Sequence, residues 1–316
     1  MKFLCLLSLL LPVTLCGAHK PTFSFPGLKQ DIEFAKAGEV SLTLDAFVPE
    51  GEGPFATCIL VHGGGFTKGD KHSFITPLFE PLATAGFTWF TINYRLAPQH
   101  RWPACADDVA SAIRWVKAHA AEYKVDVSRI ALIGESAGGH LVSWASVTGV
   151  GDTRVAAVVP FYPPQDLVTH VKRRNELRGL GDLIGSHEMS EANFAKLAEM
   201  SPITHVKAGL PPFLQIHGDA DTTVAHEQSV MFNGLHFDAM YSRWLVTKDE
   251  EARVKARKLV AGLLKLSSVG ETPGFIAQVK VLDSHGWKVP TNGPPSSYRG
   301  DFAKPTWEAV PRLLER

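Results

Sequence analysis

The five residues Gly134-Glu135-Ser136-Ala137-Gly138 restrict the fold of this chain more than any other stretch. They follow the apolar run Arg129-Ile130-Ala131-Leu132-Ile133 and precede His140 to Ala145, a segment suited to a helix. A strand, a serine between small residues and a helix predict a sharp turn that holds the serine oxygen clear of a sheet edge. An ordinary Gly/Ser turn would give the same string, so the strand before it and the helix after it carry the assignment. Ser136 is the candidate nucleophile.

The rest of the chain alternates in the same way. Asp31 to Ala35 and Leu42 to Val48 read as two strands joined at Ala37-Gly38-Glu39, and the second alternates apolar and polar residues as a half-exposed strand does. Ala56 to Val61 is a continuous apolar run suited to a strand buried on both faces. Ser73 to Ala85 can form a helix despite Pro77, Gly86 to Ile92 is another strand, and Ala106 to Glu122 is a helix with Val109, Ala112, Ile113 and Val116 along one face. Asp107 and Asp108 sit in its first turn, where the helix dipole favours negative charge over any catalytic use. Strands follow at Val155 to Val159 and Phe213 to His217, then a helix over Asp249 to Leu266 and a last strand, Phe275 to Leu282. Between them, Pro160 to Val206 is irregular and locally basic (Lys172, Arg173, Arg174, Arg178), with a short helix over Glu191 to Glu199. It can be a wall or lid over a site, or a solvated excursion. Alternating strands and helices predict an α/β chain with a mostly parallel central sheet and helices on both faces.

Other features bound the function. Lysine plus arginine equals aspartate plus glutamate, at 32 each, so no overall field favours a nucleic acid or an anionic membrane. Met1-Lys2, the apolar Phe3 to Leu15 and the small residues Cys16-Gly17-Ala18 read as a secretory signal cleaved after Ala18, leaving residues 19–316 as a single domain in a secreted or periplasmic protein. The apolar run falls short of the roughly 20 residues that span a bilayer. Cys16 as a lipid anchor is the alternative, but Leu15 stands where a small residue is expected. Cys58 and Cys105 then remain; Cys58 reads as a small buried hydrophobe, and no Cys/His spacing suggests a structural zinc or another metal.

Two further stretches bear on Ser136. His62-Gly63-Gly64-Gly65 ends a strand with three glycines, which suggests that backbone amides approach a reacting group closely, as in an oxyanion hole; a flexible turn is the plainer alternative. His62 itself reads as structural. Ser136, Asp221 and His285 each follow a predicted strand, so they can meet at one sheet edge, and serine, acid, histidine is the chain order of α/β-hydrolases. In that arrangement His285 would shuttle the proton of Ser136 and Asp221 would orient the imidazole.

Taken together, His62-Gly63-Gly64-Gly65, Asn93-Tyr94-Arg95-Leu96-Ala97-Pro98, Gly134 to Gly139, Ser201-Pro202-Ile203-Thr204-His205-Val206 and His217-Gly218-Asp219-Ala220-Asp221 resemble the α/β-hydrolase-3 and hormone-sensitive-lipase-like esterases. The resemblance runs from about Ile32 to Ser229. Within that group it leans to the bacterial secreted carbohydrate esterases called BD-FAE-like, which act on acetylated or feruloylated xylan. It implies an α/β-hydrolase fold without a cofactor, Ser136 as nucleophile, the amides of Gly64, Gly65 and Ala137 as oxyanion donors, and Asp221 rather than Asp219 as the acid. The expected partner is a small-molecule, oligosaccharide or polysaccharide ester. Asp283-Ser284-His285-Gly286-Trp287 resembles the family's terminal His-Gly-aromatic turn, but Phe232 to Lys248 lengthens the path to it, and His226 and His236 compete for the base. A short-chain carboxylesterase, a lipase or an arylformamidase shares this mechanism; a non-catalytic binding protein of the same fold is the remaining alternative.

Overall fold

The computed structural model describes residues 25–218 and 220–236. The expected leader, Asp219, His285 and the elements expected over Asp249 to Leu266 and Phe275 to Leu282 lie outside the described residues.

Six strands form one sheet: β1 (Lys29–Ala37), β2 (Val40–Phe47), β3 (Phe55–Val61), β4 (Thr88–Ile92), β5 (Val125–Glu135) and β6 (Ala157–Phe161), in the spatial order β1-β2-β4-β3-β5-β6. The β1–β2 and β2–β4 pairs are antiparallel, and the β4–β3, β3–β5 and β5–β6 pairs are parallel. The stretch expected as a strand at Phe213 to His217 extends the parallel edge only through isolated bridges, Val158 to Phe213 and Phe161 to Ile216. This is the α/β-hydrolase architecture.

Side-chain alternation divides the core between the two faces of the sheet. Ile59, Val61, Phe90, Ile92, Ile130 and Leu132 face one side, where they pack with α2 (Ala104–Ala118) and α3 (Ala137–Thr148). Cys58, Leu60, Trp89, Ala131 and Ile133 face the other, with Phe79 and Leu82 of α1 (Phe79–Thr84). Cys58 and Cys105 are both buried and free, so neither forms a bridge. Burial pushes the Cys105 thiol up to about 12, which keeps it protonated and inert.

Two expectations are corrected. The helix over Ser73 to Ala85 is shortened to a 3-10 turn at Thr76–Leu78 followed by α1. Pro77 starts the turn, while the side chains of Asp70 and Ser73 hold residues 70–73 in a local turn of their own (Ser73 Oγ to Asp70 Oδ1, 2.9 Å) that competes with helix. Asp108 is more than a first-turn dipole partner. It is buried, its carboxylate accepts from Arg95 Nε and Nη2 at 2.7–3.0 Å, and it also accepts from the Arg95 backbone N–H at 2.8 Å. The pair fixes the Asn93–Pro98 loop to α2.

Removing one partner of a buried, bidentate pair leaves the other charge without compensation. Asp108→Ala is therefore expected to lower unfolding free energy by about 3 kcal/mol, read as a shift in the urea midpoint; a loss below about 0.5 kcal/mol would place this pair with ordinary surface ion pairs.

Candidate active site

The elbow forms as the sequence predicts. Ser136 has φ 52° and ψ −116°, a conformation that strains a non-glycine residue by about 1–3 kcal/mol. The surrounding packing sets it: the Ser136 N–H donates to the Phe161 carbonyl of β6 at 2.9 Å, and the Ser136 carbonyl accepts from His140 at 2.9 Å. Gly138 is required for space, because a Cβ there would collide with the Val61 and His62 carbonyls at the end of β3. Gly134 is confined likewise by the Gly138 carbonyl.

Ser136, Gly64, Gly65 and Asp221 line one open cavity of about 1020 Å³ at the carboxyl end of the parallel strands. Gly64 and Gly65 have φ values of 110° and 64°, which need glycine, and so explain two of the three consecutive glycines. Ala137 opens α3, so its N–H is among those that an α-helix leaves without an internal acceptor. His62 is buried, with Nδ1 2.7 Å from the Gly63 carbonyl and its ring stacked 4.3 Å from Tyr94, in keeping with a structural role. Burial pushes it down to about 4, so it stays neutral. Tyr94 also donates its hydroxyl to the His62 carbonyl at 3.1 Å, and the Ala97 N–H donates to the Phe66 carbonyl at 2.9 Å. The loop of Tyr94 and Ala97 thus buttresses the glycine loop.

Asp221 is buried and its Oδ1 accepts from the N–H groups of Thr223 and Val224 at 2.7 and 2.9 Å. Its loop is held by His217. The Val224 carbonyl can only accept, so His217 Nε2 carries the proton toward it at 2.8 Å and Nδ1 accepts from Ser229 Oγ at 2.7 Å. Burial favours this neutral form. Arg174 adds a third tie, donating to the Thr223 carbonyl at 3.0 Å. Of the competing histidines, His236 is fully buried beside Phe213 and Phe232, whereas His226 lies beside Glu227 at 3.5 Å; neither lines the cavity. The expected wall is present: α4 (Leu167–Arg174) supplies His170 and Arg174, and α5 (Gly179–Ile184) supplies Gly179 and Leu180. No group of three or more His, Cys, Asp or Glu side chains among the described residues is placed to hold a metal ion.

Glu135 was not singled out in the sequence beyond its place in the elbow, yet it bridges the two loops. Its buried carboxyl accepts from the Gly63 N–H and the Tyr162 hydroxyl, and a Cβ on Gly63 would overlap it. Burial outweighs those bonds and pushes it up to about 7. An acidic residue inside a buried turn was the only available signal. Because the folded-state value lies above the unfolded 4.5, the neutral acid stabilises the fold fully below about pH 4.5, and that contribution is lost as pH rises through 7. Relative to Glu135→Gln, wild type should lose about 3 kcal/mol of stability between pH 4.5 and pH 8.5 in paired urea titrations. Parallel curves would show that the carboxyl ionises freely.

Comparison with known proteins agrees with this geometry. Residues 44–235 match the BD-FAE family. The chain is 37% identical over 180 residues to the probable carboxylic ester hydrolase LipM of Mycobacterium tuberculosis, an alignment covering 54% of this chain and 42% of LipM. It therefore spans less than half the length of that curated relative. A truncated carbohydrate esterase from gut microbiota superposes with a TM-score of 0.60 at 30% identity, covering 67% of this chain and 84% of that one. A thermophilic esterase of the planctomycete Thermogutta terrifontis, of which propionate- and butyrate-bound structures are known, superposes with a TM-score of 0.55 at 28% identity, over 68% of this chain and 78% of that one. With more than half of its length matched, the chain belongs to the BD-FAE family of α/β-hydrolase-fold proteins.

Proposed function

We propose that this protein is a secreted serine carboxylic-ester hydrolase that removes acetyl or feruloyl groups from plant polysaccharide such as xylan, or from its fragments. The observation that carries the proposal is Ser136, held at positive φ in a cavity that it shares with Gly64, Gly65 and Asp221. Residues 1–18 would direct export, and residues 19–316 would form one catalytic domain. Among the described residues no helix is long and apolar enough to cross a membrane.

In the proposed reaction Ser136 Oγ attacks the ester carbonyl while His285 takes its proton. The new oxyanion would be met by the N–H groups of Gly64, Gly65 and Ala137, since donors aimed where charge develops stabilise the transition state more than the ground-state carbonyl. Collapse expels the alcohol, protonated by His285, and leaves Ser136 acylated. Water, deprotonated by the same imidazole, then releases the acid and restores the serine. Asp221 would orient the imidazole; its two backbone N–H bonds leave Oδ2 for that contact. Phe74, exposed at the cavity wall, offers an apolar face for a sugar ring or an aromatic acyl group.

A short-acyl carboxylesterase is the second reading, favoured by the acids bound to the Thermogutta terrifontis relative. A panel of 4-nitrophenyl acetate, butyrate, octanoate and ferulate, together with acetylated and feruloylated xylan, separates the two, because the acyl pocket sets the cut-off. Wild type should release acetate or ferulate from xylan, and Ser136→Ala should lower that rate by at least about a thousandfold. Turnover of the nitrophenyl esters alone would favour the short-acyl reading, and equal rates for wild type and Ser136→Ala would remove Ser136 from the chemistry.

A further inference from the structure

Charge is distributed unevenly around the cavity that holds Ser136. Its lining carries three cations, Lys68, Arg174 and Arg178, and three carboxylates, Glu135, Glu176 and Asp221. Two of those carboxylates are turned to backbone: Glu135 to the Gly63 N–H, and Asp221 to the N–H groups of Thr223 and Val224. Glu176 pairs with the arginines, its Oε1 2.5 Å from Arg178 Nε and 3.8 Å from Arg174 Nε, and Arg174 also feels the charge of Asp221. Lys68 is exposed and has no ion pair among the described residues. Among the described residues Arg178 thus pairs with Glu176 alone, and Lys68 with no carboxylate.

The placement of this charge is built into the backbone. Arg178 is held at φ 44°, unfavourable for a residue with a side chain, immediately before Gly179. Gly179 packs so tightly on the glycine loop that a Cβ there would lie 2.5 Å from the Gly65 carbonyl oxygen. The arginine-bearing segment is thus seated on the loop proposed to receive the oxyanion. Arg174 is mostly buried, with 19% of its side chain exposed, whereas 62% of Arg178 remains open to solvent. The two arginines are close enough to repel: after burial, Arg178 is the largest influence lowering Arg174, and the arginines help burial push the neighbouring His170 down to about 4. His170 is then neutral at pH 7 and adds no charge of its own to the cluster. Like charges gathered in a cleft raise the local concentration of anions and are relieved by one.

We propose that Arg178, Arg174 and Lys68 form an anion subsite beside the reacting serine, and that the preferred ester carries a free carboxylate. The carboxylate could belong to the alcohol part, as in a uronate-bearing sugar, or to the acyl part, as in a dicarboxylic acid monoester. The assignment rests on ester hydrolysis by this cavity, so the test includes neutral esters that report hydrolysis by itself.

The full-length protein is assayed on two pairs of substrates. Acetyl esters of methyl glucuronoside and of its uncharged glucuronamide vary the alcohol part. The 4-nitrophenyl monoester of adipic acid and 4-nitrophenyl hexanoate vary the acyl part. In one pair, kcat/KM for the carboxylate member should exceed that of the neutral member by about five- to tenfold at low salt, and the ratio should shrink as ionic strength rises. The pair that shows it identifies which part bears the charge. Arg178→Gln should cut the ratio about threefold, whereas Glu176→Gln, which removes the carboxylate paired with Arg178, should raise it. Opposite responses cannot arise from loss of folding alone. Ratios at or below one in both pairs, with the neutral esters hydrolysed, overturn the subsite and leave the esterase assignment standing. A high ratio indifferent to both substitutions overturns the residues named, and no turnover of any of the four esters overturns the esterase assignment and the subsite with it.

Discussion

The site depends on the contact between Gly138 and the last carbonyls of β3. No side chain fits between the first turn of α3 and the oxygens of Val61 and His62. That spacing brings the helix N-terminus against the strand from which the glycine loop departs, and so fixes Ser136 relative to Gly64 and Gly65. Close packing of this kind has little slack, since interiors are packed at crystal-like density and one methyl group is enough to displace them. Positive φ at Ser136 is tolerated because bonds on both sides, to Phe161 and from His140, over-determine the turn.

Around that contact the loops are tied to one another more than to solvent. The glycine loop leans on Tyr94, whose own loop is fastened to α2 through Arg95 and Asp108. Farther along, Lys71 and His72 reach back to Asp45 of β2, each at 2.6 Å, so the segment after the glycines is also held. Glu135 closes the set by joining elbow and glycine loop through its carboxyl. On the other side, His217, Ser229 and Arg174 shape the turn that presents Asp221. Loops tied together in this way hold their polar groups in place without a substrate, which is what the proposed oxyanion stabilisation requires.

The sheet was legible because its central strands are buried on both faces and so read as unbroken apolar runs, Cys58 to Val61 and Ile130 to Ile133 being the clearest. The elbow was legible because glycine and serine there answer to space and backbone angle. What escaped reading depends on partners distant in sequence. Asp108 looks like an N-terminal dipole residue until the loop of Arg95 folds over it. The basic segment after Pro160 shows no clear period because α4 and α5 are short; they are held by an Asp166 cap and by packing on the glycine loop. Glu135 gave no local sign that it would turn toward Gly63, and His217, visible as part of a motif, gave no sign that it braces the acid loop. His285, the expected base, lies outside the described residues, so its place beside Asp221 remains part of the proposal.

Covalent capture tests the central claim most directly. The purified protein would be treated with a fluorophosphonate, which phosphonylates an activated serine, and the adduct located by intact mass and peptide mapping. The account predicts one adduct per chain on the peptide containing Ser136. An unmodified protein, or an adduct on another residue, would contradict it.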